Sequence, residues 1–426
     1  MGKINSTSKE QGKLKFRYKL GIFYLLLGHC SRAFALPFVL LGVGFPARRF
    51  NQISGGVLFV ILLDVAMKHK DKLLDFIKKN RLLLFFFLFL TSSFMWSELP
   101  LWSLKRSIRL WILLLLIVNI FMEKNPQEIF WKMLQYFCYF VVFSSALFIF
   151  VFPQYGRSTY GKFIGIFATK NPLGFRAAIA GVLFYKEIIS SADFRRRGWY
   201  LLWFILSVFL LVGSNSITAA VCFICALIII SYFFIVDEYI FKHNYNKTVI
   251  SVVATVLALL VFKIVLEEVF LDSTILNTFL KFVGRVPTFT GRTKQWPPLI
   301  NIGLTRPILG FGLNAFWQQV ITGKLTVPGL ETWWRFRSEH SGYLKIFLNL
   351  GLVGLITYSV LIVNTIMNFK KLDLKAKNNI CIIGIFIMIL IQNFYESSYL
   401  AANFIWFFFL FVIVTVSLSN NKSQAL

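Results

Sequence analysis

Charge is scarce in this chain. Only 15% of its 426 residues are Asp, Glu, Lys or Arg, too few for a soluble domain of this length. Histidine is scarcer still, with four in all, and cysteine is limited to five. The cysteines (Cys30, Cys138, Cys222, Cys225 and Cys381) all lie in or beside apolar runs. "CFIC" at 222–225 has metal-like spacing, but its flanks are apolar and no second pair exists, so small packed side chains are expected and no disulfide framework is implied. No DxD, HExxH, GxSxG or Walker motif occurs, so neither a bound metal nor a nucleotide cofactor is implied. No internal repeat of fixed period is visible.

What is present is apolar. Hydrophobic residues make up 57% of the chain, 49 of them Phe, and the mean hydropathy is +0.70. This composition describes an integral membrane protein. The net charge of +27 sits in short loops between apolar runs rather than on one soluble face, which argues against nucleic acid as a partner. With about 20 apolar residues per crossing, spans fall near 20–45, 53–67, 81–96, 105–122, 130–152, 172–190, 199–212, 214–236, 248–266, 341–368, 378–395 and 399–418. The boundary between the seventh and eighth is indistinct. The expected fold is all-α, with about twelve transmembrane helices.

The basic N-terminal segment (Lys3, Lys9, Lys13, Lys15, Arg17 and Lys19) leads into the first run without a small-residue cleavage site, so a retained start-transfer helix is expected. With the N-terminus inside, 25 Lys and Arg fall in the inner loops and termini, against seven in the short outer loops. Both termini are then cytoplasmic. The organisation expected is an N-terminal membrane region over 1–266, a large outward loop over 267–340 and a C-terminal membrane region over 341–426. The loop carries eight basic and five acidic residues. Long loops translocate regardless of charge, and long ordered loops also tend to carry function. Its Trp, Phe, Gly and Pro content points to short amphipathic helices on the outer leaflet.

Ionisable groups within spans are costly and default to functional candidates. They are Arg32, Arg109, Arg176, Lys263 and Lys345. Arg109, Lys263 and Lys345 lie near enough to an interface to snorkel. Arg176 follows "GIFATKNPLGF" at 165–175, where Lys170 and Asn171 precede an expected helix start at Pro172. Two readings stay open for these cations, an anion site at a helix N-terminus and a charged cap facing water. "TFTGRTKQW" at 288–296 places Arg292 at a turn-to-helix boundary, and Pro297-Pro298 is expected to interrupt the helix that follows. "GFGLNA" at 310–315 mimics a nucleotide fingerprint, but no strand precedes it, so its glycines are read as a tight turn near the membrane. His340 stands between a polar lead-in and the apolar run of "RSEHSGYLKIFLNLGLVGLI". An imidazole titrates near working pH and can take or give a proton. Glu339 can orient the ring or hold a proton itself. An interfacial histidine capping a helix is the simpler alternative.

In order along the chain, "SSFMWSELPLWSLKRSIRL" (92–110), "GIFATKNPLG" (165–174), "TGRTKQW" (290–296), "RPILGFGLNAFW" (306–317), "EHSGYLKIFLNLGLVGLI" (339–356) and "QNFYESSYL" (392–400) resemble the motif series of the O-antigen ligase/polymerase superfamily, most of all its exopolysaccharide polymerases. The resemblance implies a GT-C-like membrane glycosyltransferase of the bacterial inner membrane, with its large loop and active site facing the periplasm. It implies an undecaprenyl-pyrophosphate-linked oligosaccharide donor and a metal-free reaction. In polymerases the acceptor is another lipid-linked glycan, and in ligases it is the lipid A core. Chain-length regulators and export proteins are the partners it suggests. By the same resemblance Arg292 binds the pyrophosphate and His340 contacts or activates the acceptor hydroxyl, with Glu339 as the other candidate base. Lys170, Asn171, Arg176 and Arg306 are the expected substrate-binding residues. The family's second cation, in a short segment opening a span, corresponds here to Ile217 in "GSNSITAAV" (213–221), with Lys170 or Arg176 as candidate substitutes. A transporter or lipid-linked glycan flippase, and a non-catalytic relative, are the alternatives.

Overall fold

The structure, a computed structural model, describes residues 15–29, 47–239, 290–328, 338–373 and 376–419. Helices dominate, and the described residues contain no strand beyond an isolated bridge between Arg157 and Phe163. In chain order the helices are α1 (Phe16–His29), α2 (Ala47–Lys68), α3 (Lys70–Lys79), α4 (Arg81–Ser92), α5 (Pro100–Phe121), α6 (Pro126–Phe150), α7 (Pro153–Gly156), α8 (Lys170–Ser190), α9 (Phe194–Ser214), α10 (Ile217–Tyr239), α11 (Thr290–Gly303), α12 (Phe316–Ile321), α13 (Gly342–Met367), α14 (Lys377–Tyr395) and α15 (Phe404–Leu418). Most of the expected spans coincide with one of these helices. The span expected at 248–266, most of the one at 20–45, and the residues Arg32 and Lys263 lie outside the described residues. Among the described residues four helices are long and apolar enough to cross a membrane: α6, α9, α14 and the segment Gly342–Lys371 that begins with α13. The bent pair Gln52–Lys68 and Lys70–Lys79, which turns by 97°, makes a fifth if it counts as one span.

The chain divides into two compact units. The first comprises 1–80, 109–223 and 402–411, and the second 81–108, 224–401 and 412–426. In the first, α6 packs against α1, α8 and α9. Phe130 stacks on Phe411 at 3.5 Å and Phe137 on Phe404 at 3.8 Å. The indistinct boundary between the seventh and eighth spans resolves at Asn215. Its left-handed backbone (φ 52°) ends α9, a conformation that Asn tolerates better than most residues.

In the second unit α13 is a broken helix. Gly351 (φ 63°, ψ −162°) leaves the helical region. A break frees backbone donors and acceptors that must find partners, all the more so within a membrane. The 307–312 segment supplies them. Phe311 and Gly312 N–H donate to Leu348 and Asn349 C=O at 2.9 Å, and Leu352 and Val353 N–H donate to Pro307 and Ile308 C=O at 2.8 and 3.2 Å. A Cβ at Gly351 would lie 2.2 Å from the Ile308 carbonyl oxygen. The expected tight turn is present in the partner segment, where Gly310 (φ 68°) and Gly312 (φ 94°) take positive φ. One expectation fails here. Pro297 and Pro298 do not interrupt α11, which runs through both to Gly303. Proline removes an N–H and usually kinks a helix. In this case the side chains of the preceding turn are held from outside, as described next.

Candidate functional site

Three of the motif segments in the second unit meet before α13. The residues just before α13 are clasped by α11. Gln295 Nε2 donates to Ser338 C=O at 2.8 Å, and Trp296 Nε1 to Glu339 C=O at 3.1 Å. Arg292 and Lys294 lie in the first turn of α11. Arg292 precedes Gln295 and Trp296 in this helix by three and four residues. The third segment enters from the end of α14. Ser338 Oγ and Ser397 Oγ are 2.9 Å apart, and Trp296 and Tyr395 rings lie 6.5 Å apart. Asn393 Oδ1 accepts from Ser398 N–H at 2.9 Å. Only glycine fits opposite it, since a Cβ at Gly342 would come within 2.5 Å of that same oxygen.

Between these clasps sits His340. Its backbone is left-handed, φ 50°, and its N–H donates to Ser338 Oγ at 3.3 Å. Ser341 then caps α13, its Oγ accepting from Leu344 N–H at 3.4 Å. A left-handed non-glycine residue costs on the order of 1 kcal/mol and persists only where its surroundings enforce it. The half-buried imidazole is therefore presented at the mouth of α13 by a strained backbone.

Glu339 is buried, with 3% of its surface exposed. Burial pushes its carboxyl above the ordinary carboxylate range; the Lys345 ammonium opposes that shift, as does the Ser397 hydroxyl. Lys345 stands in the first turn of α13. Its electrostatic neighbours are Glu339 and Arg106, and Arg106 lies over the Trp102 ring at 4.4 Å. Read as a snorkelling residue in the sequence, Lys345 is an electrostatic neighbour of Glu339 in the structure. Six positions separate the two, and the capping turn that brings them together left no signal in the sequence. Gln295 and Trp296 were missed because their bonds run to backbone carbonyls, and Ser338 because its hydroxyl meets Ser397 Oγ and the His340 N–H, neither of which a sequence pattern marks.

Arg306 pairs with Glu98 and lies over the Phe311 ring at 5.1 Å. This ion pair belongs to a wider clamp between the segment around Trp96 and the turn that fills the break in α13. Trp96 Nε1 donates to Leu309 C=O and Trp102 Nε1 to Asn314 C=O, both at 2.9 Å, and Leu313 N–H donates to Ser93 Oγ at 3.0 Å.

Lys170, Asn171 and Arg176 belong to the first unit. The helix starts at Lys170 rather than at Pro172, so all three lie in the first two turns of α8. Lys170 Nζ donates to Asn215 C=O at 3.0 Å. Arg176 is buried, donates through Nη1 to Pro172 C=O at 3.0 Å and lies over Phe167 at 5.0 Å. Gly174 approaches Ser214, so that a Cβ would stand 2.6 Å from its Oγ. The "KNPLG" and "GSNSI" segments thus meet, and Ile217, half exposed, opens α10 two residues beyond the Lys170 contact.

Residues 200–359 match the model of a family described as O-antigen ligase. This match over 160 residues supports the resemblance to the O-antigen ligase/polymerase superfamily. The O-antigen ligase segment takes in Ile217, Arg292, Arg306, Glu339 and His340, whereas Lys170, Asn171, Arg176 and Ser397 lie outside it. No curated protein matches the chain significantly.

Proposed function

We propose that the chain is a bacterial inner-membrane glycosyltransferase that polymerises undecaprenyl-pyrophosphate-linked oligosaccharide repeats into surface polysaccharide. Both termini are cytoplasmic, and the 267–340 loop and the site face the periplasm. The observation that carries this reading is the clasp between α11 and the Ser338–His340 segment. It supports the reading because it holds the Ser338–Glu339 backbone, just before His340, to the helix whose first turn carries Arg292.

In the proposed step His340 accepts the proton of an acceptor hydroxyl. The hydroxyl oxygen bonds to the anomeric carbon of the donor glycan. The bond from that carbon to the phosphate oxygen breaks, and its electron pair leaves with undecaprenyl pyrophosphate. Arg292 stabilises the charge that develops there. Pyrophosphate is a competent leaving group, so no metal is invoked. Glu339 is buried beside Lys345 and serves to fix the segment that presents His340. Lys170, anchored two residues before Ile217, is the better candidate for the second cation, because Arg176 is folded back onto its own helix.

The family description supports a second reading in the same class, ligation of the glycan to the lipid A core. The test uses purified protein in lipid with an undecaprenyl-pyrophosphate oligosaccharide, with and without lipid A core. A ladder of products from donor alone is the result expected of a polymerase. Product formed only on adding core establishes the ligase. No product from folded protein removes both readings.

A further inference from the structure

The first unit holds a groove that the transfer chemistry does not use. It encloses about 790 Å³, within the range of small-molecule sites. Three helical stripes line it. On α1 they are Lys19, Ile22 and Leu26; on α6, the continuous face of Tyr136, Tyr139, Phe140 and Phe143; on α9, Trp199 and Trp203. The floor faces outward, since Tyr136 is 58% and Phe143 60% exposed. All three helices begin on one side. Lys15 and Arg17, at the start of α1, pair with Glu123 just before α6. Along α6 and α9 the ring contacts advance together, from Tyr139–Trp203 to Phe150–Phe209.

Positive charge collects at that end. Glu123 is occupied by Lys15 and Arg17, and among the described residues Lys19 has no acidic partner. Arg195, Arg196 and Arg197 are exposed at the start of α9; Asp193 lies 3.6 Å from Arg196, and Glu187, the other acid near this end, is paired with Lys186. From Lys19 to Leu26, and from Tyr136 to Phe143, the rise is about 10 Å. One leaflet of hydrocarbon is about 15 Å deep. An aromatic trough that lies within one leaflet, with a cationic mouth, fits an acyl lipid with an anionic head group. A polyisoprenoid chain several times longer does not match it.

We propose that this groove is a specific site for one anionic glycerophospholipid of the leaflet in which α1, α6 and α9 begin. The phosphate lies against Lys19 and the acyl chains lie along Phe140, Phe143 and Trp203. The site stands independently of the glycosyl-transfer reading.

The full chain in detergent is offered phosphatidylglycerol or phosphatidylcholine of identical acyl chains and examined by native mass spectrometry. One phosphatidylglycerol is expected to be retained, with about tenfold preference over phosphatidylcholine. Lys19→Gln should abolish the preference, Phe143→Ala should weaken both lipids, and Lys105→Gln, on an exposed site in the other unit, should change neither. Both groove side chains are exposed, so folding is expected to survive; Tyr136→Ala serves as a second groove variant, and size-exclusion profiles check each protein. Equal retention of the two lipids, or retention indifferent to Lys19, would mean ordinary boundary lipid and overturn the proposal. So would displacement by undecaprenyl phosphate at equal concentration.

Discussion

Two segments begin helices with the same promise, and the structure treats them differently. At Lys170–Arg176, in the first unit, each cation ends on a backbone carbonyl, Lys170 on Asn215 and Arg176 on Pro172. At Glu339–His340, in the second, the neighbours hold the backbone, through Gln295, Trp296 and Ser338. Charge at a helix start is therefore an incomplete guide to function. Whether the surroundings consume the polar group or position it decides the role. The first segment is held as architecture with Lys170 at its edge, and the second is the proposed reaction centre.

The largest effect that would break this contrast is at the second segment. His340→Ala should lower glycan transfer by about 10²–10⁴-fold, the range of a lost general base, and Arg292→Ala should do the same as lost charge stabilisation, on the order of 10²–10³-fold. Membrane content should stay unchanged in both, as read by blotting membrane fractions alongside the transfer assay. Gly351→Ala comes next and acts through stability. Its Cβ would strike the Ile308 carbonyl in a left-handed conformation, costing about 3 kcal/mol and visible as a lower thermal midpoint in detergent. A wild-type midpoint there would mean that the break in α13 is not enforced.

Lys170→Ala sharpens the contrast. A loss of about tenfold in transfer is expected, partly restored by Ile217→Arg. If the double variant gains nothing over Lys170→Ala alone, Lys170 serves the α9 terminus only. The smallest effect concerns Glu339. Burial raises its carboxyl in the folded chain, so the folded state holds the proton more tightly than the unfolded one. That contribution to stability is fully present below the ordinary carboxylate value, about 4.3, and is lost as pH rises through the folded value. Thermal melts of Glu339→Gln across pH 4–8 should lack this slope, which the wild type retains.

Much of the helix pattern was legible because apolar runs long enough to span a bilayer admit few alternatives. The approximate ends of α6, α8 and α14 followed from hydropathy alone. What was not legible depended on partners distant in sequence. The break at Gly351 needs the 307–312 turn beside it, and "GLVG" by itself reads as ordinary helix. The prolines of α11 read as a stop, yet the helix runs on, with Gln295 and Trp296 of the preceding turn anchored to Ser338 and Glu339. At the site, His340 stood out through rarity and position. Lys345 did not, because its place near Glu339 arises from the capping turn at Ser341.

The most direct measurement is a single-turnover assay of undecaprenyl pyrophosphate release coupled to glycan transfer, comparing wild type, His340→Ala and Lys170→Ala in the same lipid. The account predicts near-complete loss for His340→Ala and a partial loss for Lys170→Ala. Equal losses, or an active His340→Ala protein, would contradict it.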